Sequence, residues 1–162
     1  MVQLVLQKAR GRARLGQQRE VRASLDRGTK LLEQLPRPEH HFVFDHTKWI
    51  FYAATCYTWL GDDEPGVEHA REIIAYHPNP DGSSNAPMRT ASAHIDLGIV
   101  LACHGELDEA VDHGLQAFQF ERKTEASLLS RAADLDHDLQ ERYASERLIE
   151  PFHERYSDER SA

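Results

Sequence analysis

The sequence predicts an all-α fold in which about three and a half helical hairpins stack into one right-handed superhelix. Two observations lead to this prediction. Every strong hydrophobic periodicity in the 162 residues is helical, and no stretch alternates as a β-strand would. Gly16, Gly61 and Gly105 each separate two amphipathic stretches of similar length, and they lie 45 and 44 residues apart. A nearly constant period of this size is typical of arrays in which each hairpin packs against its neighbours.

Several helix boundaries have a local cause in the sequence. Gly16, Gly61 and Gly105 are predicted to end the first, third and fifth helices. Pro36 ends the second helix because it has no N–H to donate, Asp45 is the predicted N-cap of the third, and Pro65 suits the first turn of the fourth. Residues 77–87 carry the Pro, Gly, Asn and Ser residues that favour a loop. The predicted helices cover residues 2–15, 18–35, 45–60, 64–76, 87–104, 107–121, 124–143 and 145–157.

Length and composition favour one soluble domain. Residues 1–158 are predicted to form it, with a frayed tail at 159–162. Charged residues make up 28% of the chain and hydrophobic residues 40%, which is ordinary for a globular protein. No apolar run approaches the roughly 20 residues that cross a bilayer, and the start lacks the pattern of a secretory signal. Cys56 and Cys103 fall on helical patterns, which favours buried, reduced thiols. We therefore expect a cytoplasmic protein with no membrane partner.

Basic residues are concentrated at the start of the chain. Residues 1–37 carry a net charge of +6 and the remainder −14, giving −8 overall. The overall acidity argues against nucleic acid as a partner. Residues 1–41 also contain no aromatic side chain on which a base could stack. We expect the basic end to lie against an acidic surface of the same chain or of a neighbour.

The residues around Gly61 and Gly105 follow a common pattern of small and large apolar positions. The matching residues are Ile50, Ala53, Ala54, Tyr57, Gly66, Ala70, Ile73 and Pro78 in one repeat, and His94, Leu97, Gly98, Leu101, Ala110, Gly114 and Ala117 in the next. This pattern resembles the tetratricopeptide repeat family, with its W-x2-L-G-x2-Y and A-x3-F segments on either side of a turn. The first repeat departs from it, since Lys8 and Arg12 occupy positions that the family keeps apolar.

Residues 40–62 and 86–110 are also similar to the C-terminal repeat region of actinobacterial helix-turn-helix transcriptional regulators. In those proteins a DNA-binding domain precedes the repeats, and we expect that domain to be absent from this chain. The resemblance therefore implies a regulatory or signalling context without implying DNA binding.

In the tetratricopeptide family, the first helix of each hairpin lines a concave groove that binds partners. Transferred to this chain, the resemblance implies a mixed cationic, polar and apolar groove. Arginine and lysine bind carboxylates through charge-assisted hydrogen bonds, and Trp59 is a candidate anchor, so the groove suits an extended peptide or an acidic tail. Alternatively, Phe51, Trp59 and Ile99 simply pack between hairpins. The implied groove residues are Arg10, Arg14, Lys48, Phe51, Thr55, Trp59, Ser92, Ile95, Asp96 and Ile99.

The first helix is expected to form the outer end of the stack, where a polar face is usual. Val2, Leu4, Val5 and Leu6 give it an apolar one instead. An apolar end indicates a docked partner or a homodimer through the N-terminal hairpin, with Val2, Val5 and Leu6 as candidate contacts.

Histidines cluster at the start of the third helix, but they do not predict a metal site. A zinc site needs three or four converging ligands, and His40, His41, Asp45 and His46 fall in an irregular linker after Pro38. The chain has no Cys-x-x-Cys and no His-Glu-x-x-His sequence. We expect no metal and no other cofactor.

No catalytic constellation is visible either. Asp134, Asp138 and Arg142 recur at i, i+4 along the seventh helix, which favours a solvated face with weak ion pairs. The glycines of residues 11–16 lack the Gly-Lys-Ser/Thr sequence of a phosphate-binding loop. We therefore expect a non-catalytic module that binds a protein or peptide. Two alternatives stay open, namely a sensor of a small molecule or signalling peptide, and an auxiliary protein or enzyme of a biosynthetic pathway.

Overall fold

The computed structural model describes residues 1–34, 46–76, 84–120 and 126–162. These ranges are helical and contain no β-strand, which confirms the all-α prediction. A short 3-10 helix, Arg147–Ile149, precedes the last helix. The helices are α1 (Val2–Arg14), α2 (Gln18–Glu33), α3 (His46–Leu60), α4 (Asp63–Tyr76), α5 (Pro87–His104), α6 (Leu107–Ala117), α7 (Ala126–Tyr143) and α8 (Glu150–Ser161).

The described chain divides into two compact units. Unit 1 comprises Met1–His69 and unit 2 comprises Ala70–Ala162. The boundary falls within α4. None of the helices in the described ranges is both long enough and apolar enough to span a bilayer.

The three repeated glycines end α1, α3 and α5 in the same way. Gly16, Gly61 and Gly105 have φ angles of 66°, 66° and 85°, in the left-handed region where a side chain is strained. Each glycine N–H donates to the carbonyl three residues earlier, at 2.9 to 3.3 Å. The N–H of the following residue donates to the carbonyl five residues earlier, at 3.0 Å. This pair of bonds is the Schellman motif, so the predicted glycine stops are confirmed.

Boundaries late in the chain differ from those the sequence predicts. Helix α6 ends at Ala117 instead of residue 121, because the backbone turns at Phe118 and that ring stacks on Phe152 at 6.0 Å. Helix α8 begins at Glu150 instead of residue 145, after the 3-10 helix. It continues to Ser161, so most of the tail predicted to fray is helical. Asp45, Pro36, Pro38 and most of the predicted loop at 77–87 lie outside the described residues.

Unit 1 has a core built from the inner face of α1. Its buried residues recur every three or four positions, as a helix facing α2 and α3 requires. Gly28 of α2 permits a close approach, since a Cβ there would lie 2.9 Å from a methyl carbon of Leu6. The core residues are Val2, Leu6, Ala9, Ala13, Val21, Leu25, Tyr52, Ala53 and Cys56.

Unit 2 is organised around α5, whose residues 90–102 are all buried. Gly98 lets α6 approach closely, because a Cβ at this position would lie 3.1 Å from the Ala110 carbonyl oxygen. The apolar face of α7 buries Leu128, Ala132, Leu135 and Leu139, while Leu129 is half-buried. Cys103 is exposed, contrary to the expectation that it is buried, because it lies in the last turn of α5 beyond the packed segment.

Candidate functional site

A cluster of arginine and aromatic side chains forms on unit 1 where α1 lies beside α3. Arg10 and Arg14 are one turn apart on α1, and both reach Trp59 in the last turn of α3. The guanidinium carbon of Arg14 lies 4.1 Å from the Trp59 ring, and that of Arg10 lies 5.4 Å from it and 5.6 Å from the Tyr52 ring. These distances are within the range of cation–π attraction. We call Arg10, Arg14, Tyr52 and Trp59 the Arg–Trp cluster; three of its members are groove residues implied by the sequence.

Two donors of the Arg–Trp cluster are buried and lack an acceptor within residues 1–34, 46–76, 84–120 and 126–162. The indole N–H of Trp59 and the Nε–H of Arg10 are buried without a hydrogen-bond partner among the described residues. An unsatisfied buried donor costs about 1–3 kcal/mol, so an acceptor brought to these groups would gain that energy. By contrast, the second tryptophan of unit 1, Trp49, donates its indole N–H to the Leu25 carbonyl at 3.4 Å. The cluster therefore combines positive charge with two buried donors, which a partner reaches only if neighbouring side chains move.

The other implied groove residues of unit 1 extend along α3 from this cluster. Phe51 is half-buried and packs edge-to-face on Tyr52, with ring centres 5.6 Å apart. Lys48 is half-buried one turn earlier. Thr55 is fully buried, and its hydroxyl donates to the Phe51 carbonyl at 3.3 Å. Phe51 thus adjoins the cluster, whereas the Thr55 side chain is directed into the helix packing.

The implied groove residues of α5 lie in unit 2 and are buried. Ser92, Ile95, Asp96 and Ile99 are at most 8% exposed. Asp96 forms an ion pair with Arg131 of α7, and Arg131 also donates to the Ser92 carbonyl at 3.2 Å. These contacts hold α5 to α7. As they lie in this structure, the four side chains are inaccessible to a partner, and their role in a groove stays a prediction.

Arg131 is a residue that the sequence reasoning missed. The sequence does contain a pattern that indicates a buried ion pair, because Arg131 interrupts the apolar face of α7 between Leu128 and Leu135. A cation on a buried face needs an anionic partner, because an isolated buried charge is costly. The sequence could not identify Asp96 as that partner, which lies 35 residues earlier on another helix.

The residues predicted for self-association do not form an outer face. Val2 and Leu6 are buried in the core of unit 1, and Val5 is half-buried. Because Val2 and Leu6 are four residues apart, they share the face of α1 that packs on α2 and α3. Leu4 points the other way and is 73% exposed. The exposed apolar surface of α1 is therefore smaller than the sequence indicated.

The histidine cluster of the sequence is described only at His46, whose ring stacks on Trp49 with centres 5.9 Å apart. His40, His41 and Asp45 lie outside the described residues. Within the described ranges, no three histidine, cysteine or acidic side chains converge as a metal site requires.

The acidic face of α7 is less solvated than the sequence indicated. Asp134 and Asp138 are half-buried, while Arg142 is exposed. Burial raises the pKa of the Asp138 carboxyl, and the positive charges of Arg142 and His137 oppose that change.

Two histidines of unit 2 meet between α5 and α6. His94 and His113 have their Nδ1 atoms 2.8 Å apart and their ring centres 5.0 Å apart. Burial, together with His113, lowers the pKa of His94 to about 4. Burial also lowers the pKa of His113, although Asp112 and Glu109 oppose it. No sequence pattern indicates this pair, because its members are 19 residues apart on different helices.

A cavity of unit 2 is smaller than a typical metabolite-binding site. Its volume of 170 Å³ is below the roughly 300–1,000 Å³ of typical ligand sites. It therefore gives no support to the alternative of a small-molecule sensor. It is lined by Gln140, Ala144, Ser145, Glu146, Arg147, Ile149, Glu150, His153 and Glu154.

Comparisons with protein-family models, curated proteins and solved structures find nothing that matches this chain. The resemblance to tetratricopeptide repeats accordingly rests on the residue pattern around Gly61 and Gly105.

Proposed function

We propose that this chain is a non-catalytic interaction module that binds an acidic segment of a partner protein or peptide in a regulatory or signalling context. The observation that carries the proposal is the Arg–Trp cluster of unit 1. It combines two guanidinium groups, an indole face and two buried donors that have no acceptor in the part of the chain that the structure describes. The proposal includes a tetratricopeptide-like superhelix as the fold and the cytoplasm as the location.

The chemistry of the cluster favours a carboxylate over a neutral or cationic group. A guanidinium binds a carboxylate through charge-assisted hydrogen bonds, which are about twice as strong as neutral ones. The indole N–H of Trp59 can donate to the same kind of oxygen. The net charge of +6 on residues 1–37 would also attract an acidic segment during encounter.

Trp59 gives the proposed contact an apolar component. Tryptophan and arginine are the residues most often found to dominate binding energy, since each offers a large surface with a polar group attached. A carboxylate that accepts from Arg10 or Arg14 would leave the adjacent apolar part of the peptide over the indole. The preferred segment therefore alternates acidic and apolar residues.

A binding assay with matched variants tests the proposal. The probe is a fluorescein-labelled peptide of alternating Glu and Leu, and the reference peptide has Lys in place of Glu. We expect saturable binding of the acidic peptide and none of the basic one. Arg14→Gln should weaken binding about ten- to hundredfold, since a hydrogen bond to a charged group is worth about 1.5–3 kcal/mol.

Arg19→Gln is the matched control. Arg19 is exposed on α2 of the same unit, so this variant changes the net charge equally without touching the cluster. Its affinity should stay within about twofold of the wild type, as is usual for a surface change away from the contact. Equal losses in both variants would mean that attraction is only a matter of net charge, and the cluster would no longer be the site.

Self-association remains part of the proposal, now with Leu4 as the contact. Its 73% exposure on α1 makes it the apolar side chain that a second copy could reach there. Light scattering should show a concentration-dependent dimer that Leu4→Glu abolishes. A wild-type monomer at high concentration would eliminate this interface.

A further inference from the structure

We propose that the guanidinium group of Arg14 is a movable cover over the indole of Trp59, and that an acidic segment opens this cover whereas a neutral apolar segment does not. Arg14 is then the side chain that determines specificity at the Arg–Trp cluster. The inference rests on the proposed function, since it concerns how the cluster selects an acidic partner.

The contact between Arg14 and Trp59 closes one face of the indole. The guanidinium carbon lies 4.1 Å from the ring centre, as expected for a cation stacked on the face of the ring. Trp59 is half-buried, and its indole N–H is buried without an acceptor in the described part of the chain. An incoming side chain therefore reaches this face only after Arg14 has moved.

Of the two arginines in the cluster, Arg14 is the one placed to move. Arg10 is half-buried, and its guanidinium carbon lies within 5.6 Å of two ring centres, those of Tyr52 and Trp59. These two contacts hold Arg10 between the rings. Arg14 is the last residue of α1 and is exposed. Its side chain can therefore turn into water without disturbing the packing of α1 on α3.

The cover discriminates between partners because opening it has an energetic cost. A cation–π contact of this kind favours the covered state by a factor of about two to thirty in the equilibrium constant. A neutral apolar segment makes no strong contact with the displaced guanidinium, so its affinity is reduced by the same factor.

An acidic segment avoids this loss of affinity. Its carboxylate forms charge-assisted hydrogen bonds with the guanidinium of Arg14 after that group has left the ring. These bonds offset the lost cation–π contact, and the uncovered indole then receives the apolar residue next to the carboxylate. The cluster therefore requires an acidic and an apolar side chain in the same segment.

The state of the cover is measured on the free protein, as the full chain without any peptide. A neutral nitroxide added to the sample speeds the NMR relaxation of exposed ring protons. In Arg14→Ala, the relaxation of the Trp59 ring protons should increase, because the face that Arg14 covers is open. The Trp49 ring is the internal reference and should not change, since its ring contacts are with His46 and His69.

Lys8→Ala is the matched control. Lys8 is exposed on α1 outside the Arg–Trp cluster, so this variant removes one positive charge from the same helix. The relaxation of both tryptophan rings should stay as in the wild type.

Peptide binding measures the selectivity of the cover. The two probes are the alternating Glu–Leu peptide and a neutral peptide with Gln in place of Glu. Arg14→Ala should bind the neutral peptide about two- to thirtyfold more tightly than the wild type does, and it should bind the acidic peptide more weakly. Lys8→Ala should bind the neutral peptide within about twofold of the wild type.

The outcomes separate the cover from the proposed function. Unchanged relaxation of the Trp59 ring in Arg14→Ala would overturn the cover, even if the wild type binds the acidic peptide. A neutral peptide that binds Arg14→Ala no more tightly than the wild type would also overturn it. A wild type that fails to bind the acidic peptide would refute the proposed function, and selection by Arg14 would be refuted with it.

Discussion

Acidification should destabilise unit 2 through His94. This side chain is 5% exposed, and burial is the main reason that its pKa falls from 6.5 to about 4. In the unfolded chain the imidazole regains its ordinary pKa. At a pH between 4 and 6.5, the imidazole binds a proton in the unfolded state but not in the folded state. The folded state therefore becomes less stable as the pH falls.

The size of this effect follows from the difference between the two pKa values. Each unit of pKa corresponds to about 1.36 kcal/mol, so the full difference is worth about 3 kcal/mol at pH 4. Because the pKa of His94 is lower in the folded state than in the unfolded state, the free energy of unfolding falls as the pH falls. The contribution is fully present above pH 6.5 and is lost as the pH falls towards 4.

Urea unfolding followed by circular dichroism at several pH values measures this loss. The wild type is compared with His94→Gln. Glutamine does not titrate, and it can still hydrogen-bond to His113. The variant therefore differs from the wild type in one titrating group. Between pH 7 and pH 4, the wild type should lose about 3 kcal/mol more than the variant.

His104→Gln serves as the control, since His104 is exposed in the last turn of α5. It should follow the wild-type pH profile. If the wild type and His94→Gln lose stability in parallel, the neutral, buried state assigned to His94 is wrong.

Other contacts give further tests by urea unfolding. Arg131→Met should cost about 3–5 kcal/mol, because it leaves the Asp96 carboxylate buried without its ion-pair partner. Adding Asp96→Leu to that variant should recover most of the loss, and no recovery would contradict the assignment of the pair. Gly114→Ala should cost about 1–3 kcal/mol, since its Cβ would lie 2.7 Å from a ring carbon of Phe152. Gly11→Ala should instead stabilise by about 0.5–1 kcal/mol, because at this helical position no described atom beyond the adjoining backbone lies within 4 Å of the new Cβ. Equal changes in the two glycine variants would refute the packing argument.

The sequence predicts the helices well where their ends depend on local chemistry. Gly16, Gly61 and Gly105 each end a helix through their own backbone conformation, which neighbouring residues alone determine. The end of α6 depends instead on the packing of Phe118 against Phe152, which lies 34 residues further along the chain. A contact at that separation leaves no periodic signal in the sequence.

Some contacts of the candidate site can likewise be predicted from the sequence, and others cannot. Arg10, Arg14 and Trp59 are brought together by the packing of two helices whose apolar faces the periodicity predicts. The pairing of Asp96 with Arg131 depends on how two distant helices are registered against each other. Residue types alone do not fix that register. The residue types therefore indicate that a buried charge needs a partner, but they do not identify which residue that partner is.

The indole N–H of Trp59 gives the most direct test of the proposed function. In ¹H–¹⁵N spectra recorded during titration with the alternating Glu–Leu peptide, its signal should shift saturably as the donor gains an acceptor. Trp49 is an internal reference, because its indole N–H already donates to the Leu25 carbonyl, and its signal should stay in place. Binding of the peptide without any shift of the Trp59 signal would contradict the claim that an acidic partner docks at the Arg–Trp cluster.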